Sequence, residues 1–294
     1  MKKILFATTA LVATAGYAAA DITVSGGANM GVKYLEDRAG GETYTYTELD
    51  FGINASGTTD SGIEFGASID LDATDSDGSA KNDNAALDPE TYISSGGLTL
   101  RMGNLDGVSD PFGLPDIGFD GIGVDDVAEK VTVGGTQYGV KADASVSVEY
   151  AFGDYTFVAA ANEDDDWGVS FAGAVDAFTF GIAYEEVNDV QNTGIDGATT
   201  WLNLGYSFGA FGVDAFYVNM DPDGFDTEEG YGLAGSYTAG DLTVTAVWAD
   251  NSTADDAAYG IDAAYDLGSG LVVKGGVGSV NDKTAADFGV IMSF

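Results

Sequence analysis

Carboxylates dominate the side chains that could do chemistry in this sequence. Its 294 residues include 48 Asp and Glu against 10 Lys and Arg, a formal net charge of −38 at pH 7. Hard carboxylate oxygens are the ligands that Ca²⁺ and Mg²⁺ prefer. The acidic groups spaced as candidate ligands are Asp164, Asp165 and Asp166; Asp72, Asp75 and Asp77; and Asp221, Asp223 and Asp226. None forms an EF-hand, since Ala73 departs from that motif, and solvated loops are the alternative interpretation.

The composition excludes most catalytic chemistry. The chain has no His and no Cys, so zinc sites, thiol nucleophiles, Ser-His-Asp triads and disulfides are excluded. Carboxylate pairs are expected by chance among so many acids, and Gly275 to Gly278 lie in a strand pattern without the helix that a dinucleotide loop requires. We therefore expect no enzyme activity and no required cofactor. Nucleic acid is excluded as a partner, because binding it needs a basic surface.

The first twenty residues are typical of a signal peptide. Lys2 and Lys3 precede an apolar stretch from Ile4 to Val12, and Ala18 to Ala20 offer small residues for cleavage before Asp21. A membrane anchor is the alternative, but the apolar stretch is short for a spanning helix. Residues 21–294 are then the mature chain, in which no apolar run approaches the roughly 20 residues of a spanning helix.

Alternation with a period of two runs through the rest of the chain. Between Ile22 and Tyr34 the apolar residues occupy even positions, which places them on one face of a strand about twice the usual length. The same pattern predicts sixteen strands. They centre on 22–34, 49–55, 63–71, Tyr92, 98–102, 146–150, 155–159, 167–171, 178–184, 202–208, 211–217, 231–237, 242–248, 259–265, 271–277 and 288–294.

The connections between these strands alternate in length. Short Gly and Asp turns, such as 58–62 and 95–97, alternate with longer, mostly acidic connections, among them 72–89, 186–197 and 280–286. The longest runs from about 104 to 130. This segregation predicts an all-β, transmembrane, antiparallel up-and-down barrel of sixteen strands, with short periplasmic turns and long extracellular loops. A soluble β-sandwich or solenoid is the alternative, but its turns would not alternate.

A barrel of this size encloses water, so its polar face is predicted to point inward and its apolar face toward lipid. Unpaired backbone amides are costly in hydrocarbon, so the strand ending at Phe294 should pair with the strand at Ile22. Aromatic residues fall near the strand ends, where interfacial girdles lie. They are Tyr34, Tyr46, Tyr92, Tyr155, Tyr184, Phe208, Phe211, Tyr217, Tyr237, Trp248 and Phe294.

Three stretches of the chain resemble a known family. The segment Gly57-Thr58-Thr59-Asp60-Ser61-Gly62-Ile63-Glu64-Phe65-Gly66-Ala67-Ser68, the segment 264–270 and the terminal Phe294 are similar to the general-diffusion porins of alphaproteobacteria, Rhodobacter type. The resemblance covers essentially the whole mature chain. It implies a homotrimer in the outer membrane of a Gram-negative bacterium, in which each barrel passes small hydrophilic solutes and contacts lipid and lipopolysaccharide.

The same resemblance implies a long third loop that folds into the lumen as a constriction, with acidic loop groups facing a basic cluster on the wall. That loop is 104–130, and its acids are Asp106, Asp110, Asp116, Asp120, Asp125, Asp126 and Glu129. The wall departs from the family pattern, because parity turns only Lys33, Arg101 and Lys274 inward. We therefore do not expect a strong transverse field.

Parity also predicts an acidic lumen. The carboxylates expected to face inward are Glu48, Asp50, Glu64, Asp70, Glu149, Glu185, Asp214, Asp262 and Asp287. Carboxylates around a water-filled constriction concentrate cations and repel anions. We predict weak to moderate cation selectivity. The alternative function is a secreted, acidic, Ca²⁺-binding structural or adhesive β-protein.

Overall fold

The fold is given by a computed structural model, which describes residues 9–11, 21–76, 79–81, 88–133, 136–139, 144–188 and 195–294. Its one short helix is α1 (Asp126–Glu129), and no helix in these ranges is long and apolar enough to cross a membrane. The strands are β1 (Thr9–Leu11), β2 (Asp21–Leu35), β3 (Thr43–Thr58), β4 (Glu64–Ser76), β5 (Ser79–Lys81), β6 (Glu90–Ser95), β7 (Leu98–Leu105), β8 (Lys130–Val133), β9 (Thr136–Gly139), β10 (Ala144–Phe152), β11 (Tyr155–Ala161), β12 (Trp167–Val175), β13 (Phe178–Val187), β14 (Gly197–Phe208), β15 (Phe211–Pro222), β16 (Glu228–Ala239), β17 (Leu242–Asn251), β18 (Ala258–Gly268), β19 (Leu271–Val280) and β20 (Lys283–Ser293).

Sixteen of these strands close into an antiparallel barrel, in the order β2, β3, β4, β6, β7 and then β10 to β20. The sheet closes where β20 pairs with β2, with Val290 opposite Met30. Two backbone hydrogen bonds finish the seam: the Gly26 N–H donates to the Phe294 carbonyl at 2.8 Å, and the Phe294 N–H donates to the Gly26 carbonyl at 2.9 Å. The predicted sixteen strands and the predicted seam are confirmed.

The other strands lie outside this ring. β1 pairs with the start of β2, β5 pairs antiparallel with the last residues of β4, and β8 and β9 form a separate hairpin. β1 falls within the predicted signal peptide, of which only residues 9–11 are described. The assignment of residues 1–20 to a signal peptide stays a prediction.

The faces of the strands alternate as expected. Large apolar side chains such as Val24, 49% exposed, point away from the lumen, whereas Ser25 lines a space inside the barrel. Aromatic rings on the outer face meet near the ends joined by short turns. The ring centroids of Phe208 and Phe211 lie 5.4 Å apart, and those of Phe211 and Tyr237 lie 4.8 Å apart. An aromatic band therefore borders this rim, called here the short-turn rim.

One predicted long connection is wrong. Residues 280–286 are strand apart from a two-residue turn at Asn281 and Asp282, where the backbone has φ values of 51° and 60°. Asn and Asp tolerate this left-handed region because their short side chains bond locally, so the pair closes a tight hairpin without glycine. The polar residues from Asn281 to Thr284 predict a longer loop, but Lys283 and Thr284 already belong to β20.

The segment between β7 and β8, residues 106–129, folds back inside the barrel and ends in α1. Its apolar side chains form a buried cluster with inward-facing residues of the wall. The wall contributes Ala183, Trp201, Phe216, Val218, Ala234, Val247, Ala249 and Ala258. We call this segment the lumen loop. The main apolar core of the protein thus lies between the loop and one side of the wall.

We expect nitroxide spin labels at Val24 and Ser25 to report opposite environments. The Ser25 label should collide with a water-soluble nickel complex, and the Val24 label, on the apolar outer face, should be shielded from it, because neighbouring side chains of a strand point to opposite faces. Power-saturation EPR in vesicles measures both collision rates. A water-exposed Val24 label with a lipid-exposed Ser25 label would reverse the assignment of faces.

Candidate functional site

Apolar side chains of the lumen loop rest on glycines of the inner wall. A Cβ built on Gly181 would overlap the ring of Phe112, and one on Gly289 would lie 2.7 Å from Phe119 Cγ. Real Cβ atoms do not approach so closely, so a side chain at either glycine would displace the loop. Six further contacts follow this pattern: Val108 on Gly168, Leu114 on Gly232, Ile117 on Gly276, Phe119 on Gly31, Ile122 on Gly278 and Val124 on Gly260.

Carboxylates of the wall accept hydrogen bonds from the loop backbone. Glu185, with no solvent exposure, accepts from the Ser109 N–H at 2.9 Å and from the Ser109 hydroxyl at 2.7 Å. Asp262 accepts from the Gly118 N–H at 3.1 Å, and Asp287 accepts from the Asp120 N–H at 3.3 Å. An irregular loop leaves backbone groups unpaired, and these wall side chains satisfy them. Three of the carboxylates predicted to face the lumen are therefore loop anchors.

The basic residues predicted to line the lumen point inward and are all paired. Lys33 Nζ lies 2.6 Å from Asp120 Oδ2, and it also donates to the carbonyls of Asp120 and Gly121. Lys274 lies 3.0 Å from Asp262 Oδ2 and donates to the Asp116 carbonyl. Arg101 lies 3.5 Å from Glu90 Oε2. Each charge is thus offset locally, and two of the three bind the loop.

Side-chain amides complete the attachment of the loop. Asn203 donates from Nδ2 to the Gly113 carbonyl at 2.8 Å. Asn251 donates to the carbonyls of Val127 and Lys130 at 2.5 and 3.1 Å, which fixes α1 against the end of β17. Parity alone does not single out Asn203 or Asn251, nor the inward-facing Trp201 and Phe216. Trp201 and Phe216 do leave a signal in the sequence, since large apolar residues interrupt the polar face of β14 and β15.

The predicted loop acids divide by exposure. Asp106, Asp110 and Asp116 are exposed, Asp120, Asp126 and Glu129 are half-buried, and Asp125 is buried. Glu129 accepts from the Leu114 N–H at 2.8 Å, and Asp126 lies 2.6 Å from Lys130 Nζ. Asp125 Oδ1 has no hydrogen-bond partner among the described residues. Burial, reinforced by the nearby carboxylates of Asp116, Glu129 and Asp126, raises the pKa of Asp125 to about 8.

On the other side of the loop an open space of about 520 Å³ is bounded by β2, β3, β4, β6 and the end of β7. Six carboxylates line it, and no Lys or Arg does among the described residues. They are Asp50, Asp70, Asp72, Asp88, Glu90 and Asp106. Oxygens of Asp50, Asp70 and Asp72 all lie within 4.8 Å of one another. We call this lining the acidic wall. Among the predicted wall carboxylates outside it, Glu48 accepts from Asn29 at 3.1 Å and Glu64 is exposed at the start of β4.

The candidate Ca²⁺ ligands are distributed differently from the sequence prediction. Asp72 lies with Asp50 and Asp70 rather than with Asp75 and Asp77; the Asp75 side chain and all of Asp77 lie outside the described residues. Asp166 accepts hydrogen bonds from the Asn188 N–H at 2.7 Å and from Asn162 Nδ2 at 3.0 Å. Its carboxylate therefore holds two connections together and is not grouped with Asp164 and Asp165 as a metal ligand. Calcium binding stays a prediction.

Comparison with known proteins gives concordant results. A family model described as Gram-negative porin matches residues 7–285. The porins of Fuscovulum blasticum and Rhodobacter capsulatus are each 28% identical to the chain, over 93% of its length and 100% of theirs. Two solved structures of substituted Rh. blastica porins superpose with TM-scores of 0.76 and 0.77 at 22% and 24% identity, again over 93% of this chain and 100% of theirs. These structures share its fold.

We expect Gly181→Ala to destabilise the seated loop by about 1–3 kcal/mol, because the new methyl group overlaps the Phe112 ring. Thermal unfolding in detergent should show a lowered Tm, and single-channel conductance should change as the loop shifts. Gly27→Ala is the matched control, since its Cβ would meet only the Met292 carbonyl at 3.7 Å. Equal Tm values for the two variants would contradict the packing of Phe112 on Gly181.

The docked loop should be more stable at pH 5 than at pH 8.5. Asp125 has a pKa of about 8 in the folded protein against 3.8 for the ordinary group, so the folded state holds its proton more tightly. Stability therefore falls as pH rises between these values. Asp125→Asn should raise Tm at pH 8.5 and flatten the pH profile.

Asp110→Asn is the control for this pH effect, because it removes the same charge from an exposed position of the lumen loop. Its profile should keep the wild-type slope. An unchanged slope in Asp125→Asn would show that other groups carry the pH dependence.

Proposed function

The chain belongs to the Gram-negative porin family, and we propose that its channel favours cations over anions. The protein is an outer-membrane porin, a passive channel and not an enzyme. A secreted adhesive β-protein is thereby set aside. Which ions pass more readily depends on the charges beside the open part of the lumen.

The acidic wall is the observation that carries this proposal. Six carboxylates line that space, with no Lys or Arg among the described lining residues, and the three inward basic residues lie in ion pairs. A unit charge attracts a counter-ion 4 Å away by about 1 kcal/mol in a water-like dielectric, and several carboxylates act together. The resulting potential extends over a screening length of about 10 Å at 0.1 M salt.

The lumen loop supports the proposal by directing solutes toward these carboxylates. Its apolar side packs on the wall from β12 round to Gly31 of β2, whereas its Asp106 lines the open space together with the carboxylates of the wall. Ions then pass beside acidic groups of both the wall and the loop, with no Lys or Arg among the described lining residues. We infer an attractive but weakly transverse field, which suits small cations and neutral hydrophilic solutes.

The proposal extends to the partners of the barrel. Porins of this family are trimeric, and we infer that three copies of this chain associate through the outer face of β20, β2, β3 and β4. That face carries the half-exposed Ile22, Val24 and Met30 beside the rings of Phe65 and Phe288, whereas the continuous aromatic band lies on β10 to β16. The band would contact lipid, and the acidic loops on the opposite rim would approach lipopolysaccharide through divalent cations.

We expect a reversal potential of cation-selective sign for the wild-type channel in a KCl gradient. The triple variant Asp50→Asn, Asp70→Asn, Asp72→Asn should lower the K⁺ to Cl⁻ permeability ratio about fivefold, since roughly 1 kcal/mol of attraction is lost. Raising the salt to 1 M should also weaken selectivity, because the screening length falls to about 3 Å.

A matched triple variant controls for net charge. Asp60, Asp176 and Asp241 lie exposed in turns of the short-turn rim, away from the acidic wall. Their replacement by Asn should leave most of the selectivity in place. Equal K⁺ and Cl⁻ permeability in the wild-type channel would overturn the proposal.

A further inference from the structure

A second space lies between the lumen loop and the wall, separate from the acidic wall. It measures about 590 Å³ and is bounded by residues 111–115 of the loop and by β12, β13, β14 and β15. Thr179 and Asp214 lie near the ends of their strands at the short-turn rim, so the space faces that side of the loop. We call it the lumen recess. Its volume falls within the range of small-molecule sites.

The walls of the recess are mostly apolar, although the lumen around it holds water. Phe112 and Leu114 line it from the loop, and Ala172 and Ala174 line it from β12. Small residues on the wall create the room, since larger side chains there would fill the gap beneath the loop. An apolar surface in a water-filled channel favours a ligand that removes it from water.

Polar oxygens converge at one place in this apolar surface. Thr179 Oγ1 and Asp214 Oδ1 both lie close to the space above Gly205. A Cβ built on that glycine would lie 2.8 Å from Asp214 Oδ1 and would overlap Thr179 Oγ1. Asn203 Oδ1, nearby in the lining, is buried without a hydrogen-bond partner among the described residues. The recess also includes Asp154, and no Lys or Arg lines it among the described residues. The polar end is negative and rich in acceptors.

We propose that the lumen recess binds small organic cations in which a primary ammonium group is attached to an apolar body. The ammonium would donate to Asp214 and Thr179, and the apolar body would lie against Phe112, Leu114 and Ala172. An anion would be repelled by Asp154 and Asp214, and an apolar ligand without a charge would leave their carboxylates without a partner. This inference rests on the proposed function, since the ligand reaches the recess through the channel.

Phenethylammonium is the probe, and its block of single-channel current in a planar bilayer is the measurement. We expect it to reduce the current at concentrations about tenfold lower than ethylammonium does, because ethylammonium lacks the ring. Phenylacetate has the ring with the opposite charge and should not block. Block by ethylammonium at the same concentration as phenethylammonium would overturn the apolar contact.

Two variants test the recess itself. Asp214→Asn removes the charge without changing the volume, and Ala174→Leu fills the space without changing the charge. Each should raise the half-blocking concentration of phenethylammonium about tenfold. Asp50→Asn, on the acidic wall, should leave that concentration unchanged. Unchanged block in Asp214→Asn would overturn the site, even if Ala174→Leu failed to fold.

The same bilayers separate this inference from the proposed function. A cation-selective channel that phenethylammonium does not block would overturn the recess alone. A channel without cation selectivity that is blocked, and loses the block in Asp214→Asn, would overturn the selectivity alone and support the recess.

Discussion

Every backbone N–H and C=O that faces hydrocarbon must find a partner within the protein, because an unpaired group there costs several kcal/mol. The closed ring of sixteen strands meets this constraint, because the pairing of β20 with β2 leaves neither of these two strands as an open edge. A closed ring has no edge strands and no second layer. The apolar core of this protein must therefore form inside the ring, where the lumen loop provides it.

The packing of the lumen loop on one side of the wall divides the lumen into two different surfaces. On the side from β12 to β20, apolar loop residues meet glycines, and Glu185, Asp262 and Asp287 bond to the loop backbone. On the side from β2 to β7, six carboxylates remain beside open space. Carboxylates thus have two roles in the lumen: those covered by the loop anchor its backbone, and those beside open space line the path of ions. The lysines that could have opposed the acidic wall are bound to Asp120 and Asp262.

Much of this could be predicted from the sequence, because a lipid-facing strand must alternate at a period of two. The sixteen strands, the seam at Phe294 and the direction of Val24 and Ser25 all follow from that rule. Parity alone gives the face of a residue and not its neighbours. It turned Glu185 inward but could not show that Ser109, far along the chain, would cover it. The inward positions of Trp201 and Phe216 broke the polar pattern, and only the folded loop explains them. The polar residues from Asn281 to Thr284 predict a longer loop than the structure has, because composition does not reveal a two-residue turn.

The glycine contacts have a consequence for how such channels diverge. Where Phe112 meets Gly181, volume is shared between two positions that lie far apart in the chain, and neither can grow unless the other shrinks. Natural variation should therefore preserve the summed size of each pair while exchanging which member is bulky. Paired substitutions of this kind can change the aperture of the channel during evolution, without any change in the number or tilt of the strands.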